Sequence, residues 1–494
     1  MLKFFFGYLT IRGGGMSREG DVAPNDEILG WIREIFSFGY RRPGTQADCK
    51  AEDYIVRKLE EFGITDVEKQ PYQISRWEAD KWGLTVSGEE VPCFYTPNTA
   101  FTGSEGIDTD MVYVGDGSDE DFEAVDVKGK IVLVDVHFPL LRIEALGNMG
   151  YFVWDPAGTL SDFAHPATWI YPNWWRAYRL ACLHRAAAVV GVLADYPTNE
   201  DRIYIPYFGP LCHDLPDWFL SHIGLPGKIP GWIPGLWVNK AHGTRLVELV
   251  KEGGGKARAH LTLTGSVEPS TTHNVIARLP GGGDDVMVVH SHHDGPWSSA
   301  VEDASGVAEV LAVAEYMAKT PRSERNKTIV FLFTSSHFGG PARGDATFIE
   351  GNPDITSKLM LDVCIEHIAK DFDVKDGEWV DTGMPEPRSV FVHGGSNEIA
   401  REMASILADE VKRHDLRRLI ILPGNTPLGV PTDANAFYRS GYPIYSYISG
   451  PEYLFDPCDT IDKVAADQLN PVASAFIKVI QKMDKAEPSK VKGR

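Results

Sequence analysis

The stretch that most constrains this chain is Val286-Met287-Val288-Val289-His290-Ser291-His292-His293-Asp294-Gly295, followed shortly by Glu302-Asp303-Ala304-Ser305-Gly306. An apolar run that stops abruptly at histidines and an aspartate reads as a buried parallel strand, delivering polar groups to the carboxyl edge of an open α/β sheet. Ligand sites in such folds lie at that edge.

From Ala304 to Lys319 the apolar residues Val307, Val310, Leu311, Ala314 and Met317 recur at helical spacing. Glu302 and Asp303 therefore stand at the mouth of a helix, facing the histidines across a short loop. A metal ion explains why two acids and two or three imidazoles converge there. The competing reading is a solvated acidic helix start beside a surface histidine.

Downstream, strands and helices alternate: 328–333, 359–365, 389–393, a helix over 397–413, then 418–422 and 444–448. That order predicts a mostly parallel, mixed α/β sheet covered by helices on both faces. Upstream, helices are expected over 26–39 and 46–63, then strands near 67–74 and 82–87. Residues 91–265 change character, with short strands at 111–115, 127–134, 189–193, 234–238 and 257–264 between Gly and Asp turns. They are expected to form an inserted β-rich domain. Its tryptophans, Trp154, Trp169, Trp174, Trp175, Trp218, Trp232 and Trp237, suit a core or a subunit interface; a lid over an aromatic substrate is the alternative. Residues 226–234 read as a Pro/Gly-rich surface excursion. A last helix is expected over 464–483, interrupted by Pro471, and then a disordered tail from Lys485 to Arg494. The expected division is thus 17–90 and 266–484 for the core, 91–265 for the insert and 485–494 for the tail.

A formal net charge of −21 argues against nucleic acid and anionic membrane surfaces as partners and does not identify a substrate; a small-molecule or short peptide-like substrate is the partner expected on an enzyme reading. Six scattered cysteines show neither metal spacing nor a disulfide framework, which points to free thiols and a cytoplasmic location. No segment is long and apolar enough to be transmembrane. Met16 opens a more usual polar start than Met1, with a short signal peptide as the other reading.

These motifs resemble those of the zinc aminopeptidase family that includes bacterial aminopeptidase S, glutamate carboxypeptidase II, the glutaminyl cyclases and the transferrin receptor. His292-His293-Asp294 is similar to the family's His-any-Asp, and Glu302-Asp303-Ala304-Ser305-Gly306 to its Asp-Asn-Ala-Ser-Gly. Asp459-Thr460-Ile461-Asp462-Lys463 is similar to its closing Asp-Thr-Leu-Asp-Lys. Residues 91–265 resemble its protease-associated domain, above all Asp126-Val127-Lys128-Gly129-Lys130-Ile131-Val132-Leu133.

The resemblance implies that His292 binds metal, that Asp294 orients it, and that Glu302 occupies the bridging position. It places Glu366 at a further acidic ligand, with Asp362 as competitor. Ser336-His337 stands where the family carries Glu-Glu, and Phe455 where it carries its last His. Tyr453 lies one position out of register with its oxyanion-stabilising tyrosine.

With a base lost, a ligand lost and an imidazole gained, one divalent ion is expected on His292, Glu302, His337 and Glu366. Zinc comes first, with Mn or Fe as alternatives. Asp303 is the first candidate for proton transfer, with His293 and His367 behind it. The first functional expectation is a hydrolase of an amide or related bond in a small, aromatic substrate. A lyase on the same scaffold and a non-catalytic binding protein are the alternatives, and a homo-oligomer is compatible with the aromatic insert.

Overall fold

In the computed structural model, residues 22–169, 172–204, 231–339, 343–425 and 429–493 are described. Trp218 and most of the 226–234 excursion lie outside them, as do both candidate starts.

The strand Val286–His292 forms as expected and is buried along its whole length. It pairs in parallel with Thr328–Thr334 on one side and Leu359–Ile365 on the other. Leu359–Ile365 continues in parallel to Ile444–Ser449, and Arg388–His393 then runs antiparallel to Ile444–Ser449. The helices Gly306–Lys319, Asn397–Arg413 and Leu469–Asp484 pack together over this sheet. Strands buried on both faces read as unbroken apolar runs, which is why they stand out in the sequence.

Two strands are far longer than expected. Asp66–Val86 and Ala257–Leu279 pair antiparallel over nearly their full length, with one register shift between Ala79 and Lys81. Asp66–Val86 is mostly exposed or half-buried while about half of Ala257–Leu279 is buried, and the pair carries Pro71, Gly83, Gly265 and Pro269, so the sequence shows interruptions where the ladder has none.

Among the described residues, the strands between these arms share one fifteen-stranded sheet with the core, joined where Ile107–Tyr113 pairs with Ala257–Leu279, except Leu140–Arg142 and Ala164–Pro166, which pair with each other in a separate two-stranded sheet. The expected boundary at 265 thus falls inside a continuous strand. Phe152–Trp154 also crosses to the far edge of the core sheet, against Leu419–Pro423. Trp174 and Trp237 are buried core, with ring centroids 4.4 Å apart.

The tail expectation is corrected. Pro488–Lys492 is a short helix, Val491 is buried, and its carbonyl accepts from the Gly395 N–H at 2.9 Å. One apolar anchor in a polar stretch fixes it. Pro471 sits in the first turn of Leu469–Asp484, where its missing N–H has no intrahelical partner to lose.

Candidate metal centre

Three parallel strands end side by side and deliver the site. The 286–292 strand brings His292, the 328–334 strand leads into Ser336, His337 and Phe338, and the 359–365 strand leads into Glu366 and His367. A buried, kinked segment, Ala300–Ser305, non-helical at Glu302 and Asp303, carries both acids across these ends before the helix Gly306–Lys319 begins.

Donor atoms of His292, Glu302 and His337 lie within 4.8 Å of one another. His292 Nε2 is 3.0 Å from Glu302 Oε1, and His337 Nε2 is 3.9 Å from the same oxygen. The two imidazoles stack at 4.2 Å with planes 13° apart. On the other side, His367 Nε2 lies 2.7 Å from Glu302 Oε2. One carboxylate is thus surrounded by three imidazoles.

Each ligand candidate is held from behind. His292 Nδ1 lies 3.0 Å from the Asp294 carbonyl oxygen, so a proton there leaves Nε2 as the free lone pair. Asp294 also accepts from the Phe338 N–H at 2.8 Å, which ties the 292–294 loop to the 336–338 loop. His337 Nδ1 is 2.7 Å from Asp433 Oδ1, and the Arg343 guanidinium donates to that oxygen at 2.6 Å. His367 Nδ1 lies 2.8 Å from the Ser449 carbonyl oxygen. The backbone of Glu302 is fixed by Asp459, whose carboxylate accepts from the N–H groups of Val301 and Glu302 at 2.8 and 2.9 Å.

Burial opposes every charge here, so the pairings set the protonation. Burial pushes Glu302 up, but His367 and His292 beside it hold it down at about 2. Burial pulls His367 down, yet Glu302 carries it up to about 10. Burial likewise works against the Asp433 carboxylate, and His337 and Arg343 keep it well below the usual range.

Glu366 stands apart from this cluster. Its Oε1 accepts from the Asp433 N–H at 2.9 Å and from Cys364 Sγ at 2.7 Å. Asp362, the competitor, pairs with His290 at 3.1 Å inside the sheet. Both Asp303 oxygens are committed: one accepts from the Gly306 and His367 N–H groups at 3.1 Å each, the other from the Ser291 hydroxyl. Burial pushes Asp303 up to about 7. His293 pairs with Asp48 at 3.0 Å on the opposite face of its strand. Ser336 is buried in the left-handed region (φ 65°), its hydroxyl without a partner within the protein. Tyr453 donates to the Lys370 carbonyl at 2.6 Å, and Phe455 packs edge-on to Phe338 at 5.8 Å.

Three contributors escaped the sequence reading. Arg41, fully buried, donates from Nε to the His293 carbonyl and from Nη2 to the Ser299 carbonyl, both at 3.0 Å, and so braces the loop ahead of Glu302. Asp433 and Arg343 position His337. None belongs to a local motif, and only the tertiary fold brings them in.

The donor set fits a divalent ion. His292 Nε2 and Glu302 Oε1 are buried 3.0 Å apart, and His337 Nε2 stands 3.9 Å from the same oxygen, while His367 Nε2 faces Glu302 Oε2. Imidazole nitrogen and carboxylate oxygen are the ligand types zinc takes.

Residues 274–336 match the family model described as Peptidase family M28. The chain is 24% identical over 327 residues to "Probable leucine aminopeptidase 2" of Aspergillus fumigatus, covering 63% of this chain and 52% of that protein. It therefore spans about half the length of that curated relative. Among solved structures it is similar to "Aminopeptidase from Aneurinibacillus sp. strain AM-1" (TM-score 0.62, 19% identity, 94% of both chains). It is similar also to BSAP, a zinc aminopeptidase from Bacillus subtilis (TM-score 0.65, 16% identity, 95% of this chain and 98% of that one). The fold is that of the zinc aminopeptidases. Within it, the segment that matches the Peptidase family M28 model carries His292, Glu302 and Ser336.

Proposed function

We propose that this chain is a metal-dependent hydrolase holding one divalent ion, zinc first, on His292, Glu302 and His337, and cleaving an amide or related bond in a small substrate. The observation that carries the reading is the convergence of buried His292 Nε2 and Glu302 Oε1, 3.0 Å apart, with His337. When bound, the ion supplies Lewis-acid polarisation of a scissile carbonyl. Asp294 holds His292 in the tautomer that presents Nε2, while Asp433 and Arg343 do the same for His337.

Hydrolysis also needs a group that takes a proton and returns it to the leaving amine. Asp303 has both oxygens engaged; His367, carried up to about 10 by Glu302 and so already protonated, is assigned the return of a proton to the leaving amine. Glu366 is assigned to holding Asp433 in place rather than to the ion. Residues 91–256 are read as the insert, bracketed by the two long strand arms.

A second reading, a lyase, is favoured by Ser336, which supplies no carboxylate where the resemblance places a base. The test is elemental analysis of the full chain, followed by mass analysis of products from a panel of aryl and aminoacyl amides. One ion per chain with products that have gained water supports the hydrolase. Products without water select the lyase, and no ion after loading with Zn, Mn or Fe removes both.

A further inference from the structure

His293 repeats, away from the candidate metal centre, the construction that its neighbour His292 shows there. The His292 ring has the Asp294 carbonyl on one nitrogen and the Glu302 carboxylate 3.0 Å from the other. The His293 ring has the His273 carbonyl 3.0 Å from Nε2 and Asp48 Oδ1 3.0 Å from Nδ1. A carbonyl oxygen only accepts, so Nε2 carries the ring proton and Nδ1 turns its lone pair toward a carboxylate oxygen. Two electron-rich atoms so close together in a buried place call for a cation between them.

A second carboxylate joins the pair. Asp48 and Glu52 stand one turn apart on the helix Gln46–Glu61, and so share a face of it. Donor atoms of Asp48, Glu52 and His293 lie within 4.8 Å of one another, and all three side chains are fully buried. Asp48 is aimed by its other oxygen, which accepts from the Gly44 N–H and the Thr272 hydroxyl at 2.8 Å each and leaves Oδ1 to the cluster. An extra proton on Nδ1 would answer Asp48 alone, and the contact lies out of line for an N–H···O bond. A metal ion answers both carboxylates, since ligands about 2.0–2.1 Å from a common centre stand about 3 Å from each other.

The cluster also has an approach from solvent. Glu52 faces His273 Nδ1 at 3.0 Å and Lys69 Nζ at 3.3 Å, and both of those side chains reach the surface. Lys69 is paired with Asp53 as well, so it keeps a partner when an ion takes Glu52.

We propose that Asp48, Glu52 and His293 form a second divalent-cation site, which ties the helix Gln46–Glu61 to the loop that carries His292 and Asp294. Two carboxylates and one imidazole are a harder donor set than the two imidazoles and one carboxylate of the candidate metal centre, and Mn²⁺ suits them. The site does not depend on the hydrolase reading. It fills on titration, in addition to the ion which that reading gives the protein as purified.

The test is titration of Mn²⁺ into the full chain, first chelated and then given one equivalent of zinc, with free Mn²⁺ read by its EPR signal. The parent should bind one Mn²⁺ per chain, and Mn²⁺ should raise its melting temperature. Asp48→Asn should weaken that binding about 10-fold or more and lose the melting shift. Its amide can still accept from Gly44 and Thr272 while the NH₂ group donates to His293 Nδ1, so the fold is kept without an ion. Glu52→Gln should weaken the binding too, whereas His337→Ala should leave it unchanged. No uptake of Mn²⁺ by the parent up to about 1 mM, uptake that survives both Asp48→Asn and Glu52→Gln, or uptake lost in His337→Ala overturns the proposal. Asp48-dependent uptake in a chain that takes no zinc defeats the hydrolase reading and leaves this site standing.

Discussion

His337→Ala tests the geometric ligand set against the one expected from sequence register. The substitution removes one of three converging donors, and even lesser losses, of groups that only orient a ligand, cost about 10–100-fold in metal affinity. A drop of at least 10-fold, about 1.4 kcal/mol, is therefore the lower bound. The fold should tolerate it. His337 is partly exposed, and Asp433 keeps the Arg343 guanidinium at 2.6 Å, so no buried carboxylate is stranded. A loss of about 1 kcal/mol or less in unfolding free energy follows for the chelated protein. Glu366→Gln is the comparison, because a glutamine oxygen can still accept from Asp433 and Cys364. Zinc affinity by competition with a chromophoric chelator should fall for His337→Ala and hold for Glu366→Gln. The reasoning is refuted if Glu366→Gln empties the site while His337→Ala binds like the parent.

Asp459→Ala leaves the buried Val301 and Glu302 N–H groups unmet, so it should cost about 2 kcal/mol or more in denaturant unfolding and weaken zinc binding; Asp459→Asn should cost less. Gly306→Ala would press a methyl group onto the Asp303 carboxylate, the Ile365 carbonyl and the Ser291 hydroxyl, and should destabilise by about 1–3 kcal/mol in the same assay. Glu309 is buried in the Gly306–Lys319 helix with both carboxylate oxygens unpartnered, and burial raises its pKa well above the usual range. The folded state keeps that proton while the unfolded chain releases it, so Glu309 makes stability fall as pH rises above the ordinary carboxyl range, by about 1.4 kcal/mol per pH unit. Glu309→Gln should therefore match the parent near pH 4.5 and exceed it in thermal melts at pH 7, and equal differences at both pH values would refute the assignment.

What the sequence reveals here depends on whether a signal is local. The helix over 46–61 and the strand over 359–365 show themselves through periodicity or an unbroken apolar run, because burial patterns leave a trace in neighbouring residues. The arms over 66–86 and 257–279 do not show their full length, since their ladder runs through Pro71, Gly83, Gly265 and Pro269 and the exposed stretch of each need not alternate. The same division runs through the site. His292, Glu302 and His337 sit in recognisable phrases at strand ends and a helix mouth. Asp433 meets His337 across 96 residues, and Arg41 meets His293 across 252. Glu366 shows the limit of register alone, because its place after a strand said nothing of Asp433 taking its oxygen.

Whether the altered positions mark a decayed site or a rebuilt one can be argued from electrostatics. A buried carboxylate among imidazoles is expensive unless each charge is paired and each ring oriented. Decay would relieve that cost by replacing the group, as Phe455 does with its edge-on contact to Phe338. Around Glu302 the chain does the opposite. His292, His337 and His367 face its two oxygens, Asp459 fixes its backbone, and Arg41 braces the loop ahead of it. Support also reaches the added ligand, since His337 is gripped by Asp433, which Arg343 and Glu366 hold in turn. An imidazole that merely filled space would not need its Nδ1 fixed so that Nε2 faces the carboxylate. The two altered positions thus fall on opposite sides of one rule: apolar contacts around Phe455, and oriented donors around His337, the proposed ligand.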